Sequence, residues 1–242
     1  MTRPPIHQVP GRKEQVRDMF DSIAGRYDFL NHFLSLGIDR VWRRKLISLL
    51  AADRPAKILD LASGTADLAI EAARATQAFI TGTDISAEML AIGREKVRGL
   101  GLEDRITLLI ADSESLPFGD NTFDAAMVAF GVRNYENLQK GLDEMNRVLQ
   151  PGGKAFILEF AKPGFFPVKQ LFSLYFRFIL PLIGKLISKH RSAYSYLPES
   201  VSVFPQGENF CMQMRKSGFS DVSYRKLSFG IAMLYSGVRM NS

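Results

Sequence analysis

The chain has 242 residues, 46% of them hydrophobic and 23% charged, which suits one large α/β domain or one domain with attachments and excludes global disorder. Its net charge of +6 is mild and reads as a solvated basic surface rather than a nucleic-acid footprint, with contact to anionic lipid left open. The single cysteine, Cys211, rules out an internal disulfide framework and fits a reducing compartment. With no secretory-type leader read at the start, a cytoplasmic location is expected.

Residues 1–11 hold three prolines and no apolar period, so a loose tail is expected. A helical pattern then begins, with Val16, Met19, Phe20, Ile23, Tyr27, Leu30 and Leu34 in phase. Ser35-Leu36-Gly37 breaks it, and Ile38–Leu50 resumes as a helix with Val41, Trp42, Leu46 and Leu49 on one face. This front piece precedes the first strand. It is expected to fold over the strand-end edge as an N-terminal helical cap, residues 1–50, ahead of a main domain at 51–242.

Strand-like and helical runs then alternate. Strands are expected at Lys57–Leu61, Ala78–Asp84, Arg105–Ala111, Thr122–Phe130 and, after the turn Pro151-Gly152-Gly153, at Lys154–Phe160. Helices are expected at Thr65–Ala75, Ala87–Val97, Asn137–Leu149 and Gly207–Lys216. Such alternation implies a parallel sheet. The short connection between Val222–Phe229 and Ile231–Val238 implies that these two pair antiparallel. Five parallel strands plus a terminal hairpin match the seven-stranded, Rossmann-like class I methyltransferase sheet better than a six-parallel-strand Rossmann sheet.

One insertion, within about 163–200, is very apolar between Phe165 and Ser188. Lys169, Arg177, Pro181 and Lys185 interrupt it, which argues against a spanning helix. A core helix and a greasy lid touching membrane or a long apolar substrate are the two readings that remain.

The loop after the first strand carries the chemistry: Ile58-Leu59-Asp60-Leu61-Ala62-Ser63-Gly64-Thr65-Ala66-Asp67. A dinucleotide fingerprint needs three glycines, and these positions hold Ala62, Gly64 and Asp67. An acid at a helix start also repels phosphate, so a nicotinamide oxidoreductase is disfavoured. S-adenosylmethionine carries no phosphate, and its ammonium and sulfonium groups are cations that a carboxylate favours. Asp60, Gly64 and Thr65 are therefore cofactor candidates. Asp84, at the end of the second strand, can accept both ribose hydroxyls, with Ile85 and Met89 against the adenine. Asp112, at the end of the third, can accept the adenine amino group, with the Ser113 amide reaching a ring nitrogen. Each acid alone reads as a strand-end or capping carboxylate; three in this order favour ligand binding. Arg133 and Asn134, just past the fourth strand, are candidates to line the reaction centre. His7, His32 and His190 show no metal-ligand spacing with one another or with Cys211, so no metal is expected.

With these residues in hand, the chain resembles the quinone-biosynthesis C-methyltransferases of the UbiE/MenG family. The match rests on Tyr27-Asp28-Phe29-Leu30-Asn31 with Leu34-Ser35 and Trp42, on the loop Leu59–Asp67, and on Arg147-Val148-Leu149-Gln150-Pro151-Gly152-Gly153 running to Glu159. Tyr196-Leu197-Pro198-Glu199-Ser200-Val201, Phe204-Pro205 and Gly218-Phe219 extend it over nearly the whole chain. Departures are Leu30 for a usual Met, Asp39 for a usual His, Ala62 and Ala66 for loop glycines, and Ala129 where some relatives have Ser. The alanines are small and keep the cofactor loop workable if their φ angles are negative.

The resemblance implies methyl transfer from S-adenosylmethionine to a ring carbon of a polyprenylated quinol, demethylmenaquinol first and the benzoquinol of ubiquinone synthesis as the alternative. A non-catalytic lipid- or cofactor-binding scaffold is the reading from another class. Deprotonating a ring hydroxyl pushes electron density onto the neighbouring carbon. Asp67 is the first candidate for the base, Arg133 for stabilising the phenolate, and Tyr27 for holding the second ring oxygen. The apolar insertion would guide the isoprenoid tail, with peripheral contact at the inner face of the cell membrane. Sequence leaves homodimerisation open.

Overall fold

The apolar runs do become the sheet. In the computed structural model, which describes residues 11–35, 37–175 and 191–240, seven strands form one sheet in the order β3-β2-β1-β4-β5-β7-β6. These are β1 (Lys57–Leu61), β2 (Phe79–Asp84), β3 (Ile106–Ile110), β4 (Phe123–Ala129), β5 (Leu149–Phe160), β6 (Phe219–Leu227) and β7 (Ala232–Arg239). The first five run parallel, and β7 lies antiparallel to both β5 and β6. The expected terminal hairpin is therefore present. The reversal of chain order after β1 opens a crevice at the strand C-termini, where such sheets take ligands.

Alternation across the pleat divides the core into two layers. Ile58, Ile80, Ala125 and Met127 face one side, under α2 (Ile38–Ala52), α3 (Asp67–Ala75) and α4 (Ala87–Gly99). Leu59, Leu61, Ala126 and Val128 face the other. That side is covered by α5 (Leu138–Val148) and, after α6 (Val168–Leu174) and α7 (Arg191–Val203), by α8 (Glu208–Lys216). Local signals set the helix starts. Ser86 caps α4 by accepting from the Met89 amide at 3.1 Å, and Asn137 caps α5 by accepting from Lys140 at 3.0 Å. Each such cap is worth about 1 kcal/mol.

Strand β5 departs from the sequence reading. It starts at Leu149, and Pro151-Gly152-Gly153 forms a bulge inside it, since pairing jumps from Phe123↔Leu149 to Ala125↔Lys154. Gly153 is required there, because a Cβ would sit 2.8 Å from the Gln150 carbonyl oxygen.

The helix α1 (Arg12–Leu34) packs against α4 and α2, with the break expected at Ser35–Gly37 in place and Gly37 at φ 74°. Trp42 anchors α2. Its ring lies 6.2 Å from Phe130 and 6.0 Å from Phe160, and its indole N–H donates to Ser228 at 2.8 Å. Residues 176–190 of the expected apolar insertion lie outside the described residues. Among the described residues, no helix is long and apolar enough to cross a membrane.

Candidate active site

The ends of β1 to β4 and one face of α1 enclose a cleft holding about 630 Å³ of free space out to its open mouth. Ala62 and Gly64 line it from the β1 loop, Asp84, Ile85 and Met89 from β2 and α4, and Asp112, Ser113 and Glu114 from beyond β3. The β4 end adds Ala129, Phe130, Gly131, Asn134 and Tyr135; α1 contributes Lys13, Val16, Phe20 and Tyr27. The β1 and β4 loops touch at Ala62 and Gly131, where a Cβ on Gly131 would come within 2.5 Å of the Ala62 Cβ.

Polar contacts stitch α1 along this edge. Arg12 donates to the Arg133 carbonyl at 3.0 Å, and Lys13 reaches Asp112 at 2.6 Å and Glu114 at 3.3 Å. Further along, Ser86 donates to Asp21 at 2.5 Å and Thr65 donates to Asp28 at 2.5 Å. Burial disfavours the Lys13 ammonium, but the hydrogen bond to Asp112 and the charges of Glu114 and Asp112 outweigh it and hold Lys13 above its ordinary value.

Of the residues singled out from sequence, Tyr27, Gly64, Asp84, Ile85, Asp112 and Ser113 line the cleft. Asp84 accepts from the Gly64 amide at 2.8 Å and the Ser86 amide at 2.9 Å. Burial pushes its carboxyl up, and those donors pull the other way. Tyr27 packs edge-on against Phe20 at 5.7 Å. Asp60 lies under the loop rather than in the wall, accepting from Ser63 at 2.6 Å, with its other oxygen buried and without a hydrogen-bond partner among the described residues. Burial raises it to about 7, against the pull of Ser63 and Arg43.

Three further candidates lie outside the wall. Asp67 is outside the cleft wall: Arg43 holds one of its oxygens at 3.1 Å and Lys96 the other at 2.5 Å. Two cations therefore hold both of its oxygens. Arg133 is also outside the wall. Its guanidinium is buried on Glu159 at 2.8 Å, and Glu159 also accepts from the Arg133 amide at 3.2 Å. Thr65 is buried beneath the wall, bonded to Asp28 and to Lys96 at 3.2 Å. Ala62 and Ala66 contradict the negative-φ expectation, at φ 49° and 65°. The loop keeps a left-handed backbone with alanine in it, at about 1–2 kcal/mol per residue.

Lys13, Glu114 and Tyr135 were missed by sequence reasoning. Lys13 stands in helical phase with Val16, Phe20 and Tyr27, and that signal was available. Asp67→Asn is expected to change turnover by less than about threefold, where loss of a general base costs about 10²–10⁴-fold. Steady-state kinetics decide this, and a hundredfold loss would restore Asp67 as the base.

The residues present fit S-adenosylmethionine. The buried Asp60 carboxylate under the loop suits the amino group through water, and the carboxylates of Asp84 and Asp112 suit ribose hydroxyls and an adenine amino group. The buried Tyr135 hydroxyl offers a further polar contact in the wall.

Comparison with known proteins agrees. The chain is 52% identical over 229 residues to a demethylmenaquinone methyltransferase of Bacteroides fragilis, covering 94% of each chain. It is 46% identical over 234 residues to a ubiquinone/menaquinone biosynthesis C-methyltransferase of Geobacter sulfurreducens, covering 96% of this chain and 91% of the other. Among solved structures, a SAM-dependent methyltransferase from Aquifex aeolicus matches with TM-score 0.56 at 18% identity, over 76% of this chain and 81% of that one. The [4+2]-cyclase SpnF matches with TM-score 0.65 at 18% identity, over 100% and 99%. These two share the fold, and a cyclase among them shows that the fold alone does not fix the reaction. The sequence pattern of the ubiE/COQ5 methyltransferase family runs across residues 8–239, and the chain belongs to that family.

Proposed function

We propose that this protein transfers a methyl group from S-adenosylmethionine to a ring carbon of a polyprenylated quinol, converting demethylmenaquinol to menaquinol. The observation that carries the reading is one cleft in which Asp84, Asp112 and the β4-end loop share a wall under α1. The relative that is 52% identical and named for demethylmenaquinone favours the naphthoquinol ring. The scaffold reading is disfavoured by the acids retained in the cleft.

Asp84 and Asp112 hold the ribose and adenine, and Asp60 draws the amino group toward the β1 loop. When bound, S-adenosylmethionine supplies an electrophilic methyl on its sulfonium. The protein's own work is then to place the quinol and bias its ionisation. Tyr27 holds one ring oxygen. Asn134, at the end of β4, donates to the other as it becomes phenolate, and the proton leaves to water. This division follows from Asp67 and Arg133 being occupied elsewhere. Helix α1 acts as a cap over the cleft, while α2 packs on the sheet face.

A polyprenyl tail brings the substrate from a membrane. Phe165, Phe166 and Phe229 are 49%, 78% and 72% exposed, and Phe165 and Phe229 lie 6.2 Å apart. The exposed Lys162, Lys169 and Lys226 lie within three residues of one or another of them in sequence. Aromatics flanked by lysines suit the headgroup region of anionic lipid. Flotation with phosphatidylglycerol vesicles is expected to recover the protein at low salt, and Phe166→Ser with Phe229→Ser is expected to lower binding by about tenfold or more. Equal recovery of wild type and variant would remove these residues from the membrane contact.

Turnover with reduced demethylnaphthoquinol and with a reduced benzoquinol, under the same conditions, tests the ring assignment. A higher kcat/KM on the naphthoquinol is expected; the reverse would make the protein the ubiquinone-pathway enzyme.

A further inference from the structure

The amide of Asn134 is held from outside the cleft. The buried Tyr196 of α7, 4% exposed, donates its hydroxyl proton to Asn134 Oδ1 at 2.9 Å. On its other side, Asn134 Nδ2 lies 3.5 Å from the Phe130 carbonyl oxygen, at the limit of a hydrogen bond. The Arg133 guanidinium already donates to that same carbonyl. A flipped amide would set its oxygen against the Phe130 carbonyl, two acceptors facing each other. Tyr196 and Phe130 together therefore select one orientation, with the oxygen turned toward α7 and the NH₂ left with donor capacity. Asn134 lines the cleft between Phe130 and Tyr135, at the β4 end that faces the β1 loop.

We propose that Tyr196 is a positioning residue for the methyl-transfer step: by holding Asn134 Oδ1 it presents the Asn134 NH₂ to the quinol oxygen that becomes phenolate. The inference rests on the quinol-methylation reading and adds to it a residue from the far side of the apolar insertion. The step itself is balanced. The O–H bond of the quinol gives its proton to water, the ring carbon forms the new bond to the methyl, and the methyl–sulfur bond breaks with its electron pair kept on sulfur. The ring carbon then gives its own proton to water as aromaticity returns, and the ring oxygen takes a proton back from water. Asn134 makes and breaks no bond. It stabilises the charge on oxygen, and Tyr196 removes the orientational freedom that would dilute that donor. Tyr196 is well seated for this, since Ser200 and Val201 in the same helix and Phe204 just after it are buried as well.

The test uses the full chain with Tyr196→Phe, Asn134→Ala and the double substitution, assayed with demethylnaphthoquinol across pH. Asn134→Ala is expected to lower kcat about 10²-fold, the scale of one lost oxyanion donor. Tyr196→Phe keeps the ring and removes only the hydroxyl, and is expected to lower kcat about tenfold. Both shift the rising limb of the pH–rate profile to higher pH, because the phenolate is less favoured. The double variant is expected to match Asn134→Ala, since Tyr196 acts only through the amide. Thermal midpoint and the calorimetric dissociation constant for S-adenosylmethionine stay at wild-type values. Wild-type turnover and pH profile in Tyr196→Phe, or losses that multiply in the double variant, would overturn the proposal while leaving the function intact. A wild-type protein that methylates no quinol would overturn both.

Discussion

Glu159→Ala is expected to destabilise the protein by about 3–5 kcal/mol, the usual consequence of leaving a buried charge without its partner. The reason is how firmly the carboxylate is held. Glu159 is fully buried, and its two oxygens accept from the Arg133 side chain at 2.8 Å, the Arg133 amide at 3.2 Å and the Phe160 amide at 2.9 Å. The buried Arg133 guanidinium also lies 5.5 Å over the Phe160 ring. Deleting the carboxylate strands the cation and frees the loop after β4, which carries Asn134. Urea denaturation gives the loss directly. The paired replacement Arg133→Met with Glu159→Leu is expected to recover most of it, because no charge is then left buried. A loss under about 1 kcal/mol for Glu159→Ala would mean that Arg133 swings to solvent and that the pair does not brace the site.

Asp60→Asn is expected to stabilise the ligand-free protein more at pH 8 than at pH 5. Burial raises Asp60 from 3.8 in the free side chain to about 7 in the fold. Between those values the folded state binds more protons than the unfolded chain, so stability falls as pH rises through that window. Above it the ionised carboxylate costs up to about 4 kcal/mol, since each tenfold change in proton affinity is worth about 1.4 kcal/mol. Asparagine keeps the shape and the acceptor for Ser63 but carries no charge. The same substitution is expected to weaken S-adenosylmethionine binding at pH 8 by tenfold or more, since an ammonium is what repays the buried carboxylate. Urea melts at the two pH values and calorimetric titration measure both effects. Equal stability at pH 8 would show that Asp60 is already solvated or paired without ligand.

The chain order of strands was legible because buried parallel strands are apolar runs, and each of β1, β2 and β3 ends at or next to an acid that lands on one edge. Asp84 and Asp112 could be placed from that alone. Asp67 and Arg133 could not. Their backbone positions follow from the pattern, but their partners do not: Arg43 and Lys96 lie 24 and 29 residues from Asp67, and Glu159 lies 26 from Arg133 across the sheet. Nothing in an alanine announces a positive φ, so the conformation of Ala62 and Ala66 was hidden until the loop was seen closed against Gly131 and Gly93. The bulge in β5 was half visible: Pro-Gly-Gly marks a break in pairing, and only the register shows that the strand resumes on both sides. Lys13 was overlooked because its helical face reads as solvated until the neighbouring carboxylates are in place.

Carbon-13 methyl-labelled S-adenosylmethionine and reduced demethylnaphthoquinol, incubated with the full chain, test the central claim most directly. The expected product carries the label on a ring carbon, seen as an aryl-methyl resonance in the carbon-13 spectrum, with one equivalent of S-adenosylhomocysteine. A label on oxygen, seen as a methoxy resonance, or no transfer while the cofactor binds normally, would contradict C-methylation of a quinol as the function of this protein.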